Sequence, residues 1–64
     1  MEERVLWIAR DKDNKLFLYE DEPFVVDNKR FECYYYSKYW RIPEELYSEI
    51  TFENSPKQLI IKED

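Results

Sequence analysis

Between Arg4 and Glu20 the chain reads RVLWIARDKDNKLFLYE, two apolar runs on either side of a polar stretch. Both runs are too short for helices and rich in residues that favour strands, so they predict a β-hairpin. A half-buried hairpin needs one apolar face, and this one carries two. Its register depends on the loop. A two-residue turn at Asp13-Asn14 sets Trp7 opposite Glu20 and Arg10 opposite Phe17, which mixes the faces. A three-residue loop, with a type I turn over Asp11–Asn14 and Asn14 in the left-handed region, sets Trp7 opposite Tyr19, Ile8 opposite Leu18 and Ala9 opposite Phe17. One face is then Val5, Trp7, Ala9, Phe17 and Tyr19, and the other Leu6, Ile8, Leu16 and Leu18. A slip of one residue moves every side chain to the wrong face, so the second register is expected.

Pro23 ends the second strand, because it cannot donate to a central ladder. FVVDNKRFECYYY reads as a second hairpin turning at Asp27-Asn28, with Phe31, Cys33 and Tyr35 inward and Glu32, Tyr34 and Tyr36 outward. After a turn at Ser37-Lys38, Tyr39–Ile42 forms a further strand, with Trp40 and Ile42 on one side and Tyr39 and Arg41 on the other. Pro43, Glu44 and Glu45 suit the first turn of a helix. Leu46, Tyr47 and Ile50 supply its apolar side. EITF resumes as extended chain, ENSPK turns, and QLIIKE is the last strand. The expected fold is mainly β (α+β), a single small domain over 1–64: an antiparallel sheet of four or five strands with one short helical segment. The helix and last strand are expected to cover one face of the first hairpin. If the other stays open, it is a candidate surface for self-association.

Sixty-four residues leave a small core. One cysteine and no histidine exclude an internal disulfide and argue against zinc. Twelve aromatic residues, 19% of the chain, compensate, each ring burying about 150–250 Å² when covered. There is no glycine, so turns that need positive φ fall to Asn or Asp, and Asn14, Asn28 and Asn54 mark them. The start MEERVLWIA is acidic where a signal peptide is basic, and no run approaches the ~20 apolar residues of a membrane span. A cytoplasmic protein is expected.

The segments WIARDKDNKLFLYEDEP and IPEELYSEITFENSPKQLIIKED resemble small uncharacterised proteins of gut Bacteroidales and of their phages and mobile elements. Those open with an IARD-KDG-LYLY hairpin and close with an lFPEvTfENSPkeVel segment. This chain departs at Asn14, where the pattern has Gly, and at Ser48, where it has Pro. Asn14 keeps a residue that tolerates the left-handed region. The resemblance implies a gut-bacterial or phage origin and supplies no established activity or catalytic residues.

Cys33 has no histidine to activate it and sits among aromatics, so it reads as a packed cysteine and not a nucleophile. Carboxylates are abundant along the chain, which points to a solvated surface. Asp11-Lys12-Asp13-Asn14 matches the opening of an EF-hand loop, but Leu16 stands where glycine belongs, and strands rather than helices flank it. No enzyme, cofactor or metal is expected. The expected role is a non-enzymatic protein-binding accessory protein, with an unidentified protein partner or a second copy. Its candidate interaction surface is Tyr34, Tyr36, Lys38, Tyr39 and Arg41, tyrosines that could equally be half-buried sheet residues. The alternative surface is Trp7, Phe17 and Tyr19. The same tyrosines beside Lys38 and Arg41 allow single-stranded nucleic-acid binding. The net charge of −5 makes nucleic acid the poorer partner.

Overall fold

The computed structural model describes residues 2–63. Six strands follow in order: β1 (Glu2–Arg10), β2 (Leu16–Tyr19), β3 (Phe24–Val26), β4 (Arg30–Glu32), β5 (Tyr39–Ile42) and β6 (Lys57–Glu63). Four of them make one antiparallel sheet in the order β5-β2-β1-β6, and β3 and β4 make a separate hairpin. The chain is mainly β as expected. Among the described residues there are six strands in two sheets where four or five in one were expected.

The first hairpin takes the three-residue loop. Trp7 pairs with Tyr19, Ile8 with Leu18, Ala9 with Phe17 and Arg10 with Leu16. Asn14 N–H donates to the Asp11 carbonyl at 2.9 Å, and Asn14 has φ 76°. The two faces therefore sort cleanly into two small cores. Ile8 and Leu16 pack with Ile50, Leu18 and Ile42 on the aliphatic side. Ala9 and Tyr19 pack with Phe31, Trp7, Phe17, Cys33 and Phe52 on the aromatic side.

The predicted helix after Ile42 is absent, and no helix occurs among the described residues. Residues 43–50 form two successive turns, closed by Leu46 N–H to the Pro43 carbonyl and Ile50 N–H to the Tyr47 carbonyl. Tyr47 has φ 50°, which no right-handed helix accommodates. Several of the segment's carbonyls are taken up instead by Arg10. This side chain is only 7% exposed. Its Nε donates to the Ile50 carbonyl at 2.6 Å, Nη1 to those of Asn14 and Glu44, and Nη2 to those of Leu46 and Tyr47. A planar five-donor group can hold a loop's carbonyls in this way, and a buried guanidinium needs such partners. Residues 43–50 thus form a lid that enters the aliphatic core through Ile50 at its end, while Leu46 and Tyr47, expected on its apolar side, stay exposed.

The last strand does not cover a face. It pairs antiparallel with β1 from Glu2↔Glu63 to Ile8↔Lys57 and so extends the sheet at its edge. EITF does not resume as extended chain either: residues 52–54 turn, stabilised by Asn54 Oδ1 accepting from Thr51 N–H at 2.9 Å. Beyond Lys57 the ladder meets Pro56, which has no N–H, after a cis Ser55–Pro56 bond. Ser55 Oγ takes over as acceptor for Arg10 N–H at 3.0 Å.

The β3–β4 hairpin lies on the aromatic side. Asp27 and Asn28 both have positive φ, at 53° and 52°, in a turn closed by Lys29 N–H to the Val26 carbonyl at 3.1 Å. Asp11 docks the hairpin, its Oδ1 accepting from Phe31 N–H at 2.9 Å while Lys12 N–H donates to the Lys29 carbonyl at 2.8 Å. Strand β4 ends at Glu32, so the expected alternation stops there. Phe31 is buried and Cys33 half-buried, but Tyr35 is 99% exposed where it was expected inward. The reason is local: Tyr34–Ser37 is a turn, closed by Ser37 N–H to the Tyr34 carbonyl at 2.9 Å, and Tyr35 sits at its tip.

Candidate functional site

The expected surface of Tyr34, Tyr36, Lys38, Tyr39 and Arg41 separates into two parts. Tyr39 and Arg41 belong to β5 and share the aromatic face with β2. Tyr39 pairs with Tyr19 and Arg41 with Phe17. The Tyr39 ring stacks on Tyr19 with centroids 6.1 Å apart and meets Phe17 edge-on at 6.1 Å. Arg41 reaches Glu44 at 3.5 Å, an exposed pair. Lys38 is exposed, and its carbonyl accepts from Glu20 N–H.

Tyr34 and Tyr36 form the second part, with a residue the sequence reasoning missed. Their rings lie parallel, 2° between planes, with centroids 5.5 Å apart. Phe24 packs against Tyr34 at 5.4 Å, and Tyr35 meets Tyr36 edge-on. All four rings are exposed, Tyr36 at 67%. Phe24 pairs with Glu32, the outward position of β4. The spacing of Val26 and Arg30 around the turn carried that signal, since it puts Phe24 on the same side as Glu32 and the tyrosines. Asp21, Glu22 and Pro23 border these rings. Ser37 Oγ donates to Asp21 Oδ2 at 2.9 Å, tying the tyrosine turn to the segment that carries the acids.

The alternative surface of Trp7, Phe17 and Tyr19 is largely enclosed. Tyr19 is buried, and Trp7 and Phe17 are half-buried under Phe31, Cys33 and Phe52. Tyr19 Oη donates to the Phe31 carbonyl at 3.4 Å. Between the two sheets runs an open groove of about 400 Å³, with Asp11, Tyr19, Cys33 and Tyr39 in its walls. Burial pushes the Asp11 carboxyl up, against the Phe31 N–H that lowers it. Burial also pushes up the Tyr19 phenol and the Cys33 thiol. A raised thiol holds less thiolate, the reverse of what a cysteine nucleophile needs. No cluster of three metal-ligating side chains occurs among the described residues, and no helix among them is long and apolar enough to cross a membrane.

No protein-family model, no curated protein and no solved structure matches the chain.

Proposed function

We infer that this is a small, non-enzymatic protein-binding module of bacterial or phage origin, and that it binds through the Phe24, Tyr34 and Tyr36 patch. The observation that supports this reading is the parallel, exposed Tyr34–Tyr36 pair, held against Phe24. Rigid aromatic side chains bury large areas at low entropic cost, and contiguous exposed apolar groups mark interaction sites. Parallel rings form ridges that suit an extended, proline-containing segment, which arrives already ordered. Asp21 and Glu22 beside the rings, on a chain of net charge −5, favour a basic segment over an acidic one.

The test is a titration of the isotope-labelled protein with a proline-rich peptide carrying arginines, followed by NMR. Shifts are expected at Phe24, Tyr34 and Tyr36. They should disappear in Tyr34→Ala and Tyr36→Ala variants that keep the wild-type fold. Shifts confined to other residues, or none, would refute the assignment. The stacked pair also has the form of a platform for single-stranded nucleic acid. A low-salt titration with oligothymidylate separates the two readings: binding that weakens steeply with salt would favour nucleic acid, and a flat response favours protein.

A further inference from the structure

The sheet has two edges, and they are not equivalent. Strand β5 is four residues long and is stopped by Pro43, which shortens the pairing surface it offers. Strand β6 is seven residues long, contains neither proline nor glycine, and pairs with β1 on one side only. Its centre is Leu59-Ile60-Ile61, with Ile60 55% exposed and Ile61 37% exposed. A long apolar edge of this kind is a template for another strand.

The order of residues along β6 says which strand. KQLIIKE is complementary to itself about Ile60 when a second copy runs antiparallel. Lys57 then falls opposite Glu63 of the second copy, Gln58 opposite Lys62, Leu59 opposite Ile61, and Ile60 opposite Ile60 on the two-fold axis. Opposite charges meet at the ends, and apolar residues meet in the middle. Other registers are worse. Slipping by one residue sets Lys57 opposite Lys62 in one direction and Lys62 opposite Leu59 in the other, and slipping by two sets Lys57 opposite Ile61 or Leu59 opposite Glu63. Flanking lysines commonly guard an edge against promiscuous pairing. Here they penalise every register but one.

Within one chain, Glu63 is in register with Glu2. The antiparallel arrangement brings Lys57 of the second copy into that row. It also carries the row of Leu6 and Leu59 on to Ile61 of the second copy, extending the aliphatic face across the junction.

We propose that the chain forms a two-fold symmetric dimer through antiparallel β6–β6 pairing centred on Ile60, giving one continuous eight-stranded sheet. The contact is isologous and therefore closes at two copies. It is independent of the Tyr34–Tyr36 patch.

Sedimentation equilibrium of the full chain over a wide concentration range tests this. The wild type is expected to move from monomer to dimer mass. Ile60→Lys, which sets two lysines against each other on the axis, should remain monomeric with an unchanged circular dichroism spectrum. Lys57→Glu and Glu63→Lys should each weaken the dimer at least tenfold, and the double exchange should restore it. Tyr34→Ala should leave it unchanged. A wild type that stays monomeric throughout, a dimer indifferent to Ile60→Lys, or a double exchange that fails to rescue would each overturn the proposal. Should Ile60→Lys unfold, the charge exchange alone decides.

Discussion

Arg10 Nε lies 2.6 Å from the carbonyl oxygen of Ile50, forty residues further along the chain. This bond joins the end of β1 to the end of the lid and fixes where Ile50 enters the aliphatic core. The rest of the guanidinium is spent on four more carbonyls, those of Asn14, Glu44, Leu46 and Tyr47. Lysine offers three donors at one point and cannot span them. Arg10→Lys is expected to lower stability by about 2–3 kcal/mol, the range for losing charged hydrogen bonds and leaving buried carbonyls unsatisfied. Urea unfolding reads the loss. A change within about 0.5 kcal/mol, the size of an ordinary surface substitution, would mean that the lid does not depend on Arg10.

The neighbouring Asp11 holds the opposite side, and its effect depends on pH. Burial raises its carboxyl above the ordinary 3.8, with Asp13 adding to this and the Phe31 N–H, Arg30 and Lys15 opposing it. The folded pKa thus lies above the unfolded one. Between the two values the folded state binds more protons, so stability falls as pH rises through that window. Asp11→Asn keeps an oxygen acceptor for Phe31 N–H and removes the charge. Relative to wild type, the variant should gain stability as pH is raised from about 3 to 7, in the sense that linkage requires. Unfolding midpoints of both proteins across that range give the answer. Parallel curves would show that Asp11 carries no shift.

Phe31 and Tyr35 test the correction to β4. Phe31 is buried in the aromatic core, and Tyr35 stands in solvent. Phe31→Ala is expected to cost about 3–5 kcal/mol, enough to unfold a chain this small. Tyr35→Ala should change stability by less than about 0.5 kcal/mol. Equal losses at the two positions would restore the inward orientation of Tyr35. Thermal melts followed by circular dichroism distinguish these outcomes.

The first hairpin was legible because local signals agreed. The polar loop, the tolerance of Asn14 for positive φ and the sorting of two faces all selected one register. Strand β5 was legible for the same reason: Tyr39 and Arg41 alternate against Trp40 and Ile42 as read. The lid was not. Pro43-Glu44-Glu45 is a sound helix opening, and only the guanidinium arriving from β1 turns the segment's carbonyls outward from a helix. That is a tertiary contact with no local trace. Tyr47 compounds it, since a tyrosine at φ 50° has nothing in its side chain to announce a left-handed backbone. The surface was half legible. Tyr34 and Tyr36 were found, but alternation was carried past Glu32, where the strand ends. Phe24 escaped because its partner lies across a turn whose register sets its side.

The pairing of β1 with β6 bears on how the chain is made. The two strands are in register at seven positions, although one is synthesised first and the other last among the six. A chain without Lys57–Glu63 can close the first hairpin and add β5 to it, but one flank of β1 then has no partner. Such a chain carries Leu6 and Ile8 at an open sheet edge, the condition in which emerging chains associate wrongly. Cooperative folding therefore needs Lys57–Glu63, and its loss leaves that edge of β1 open.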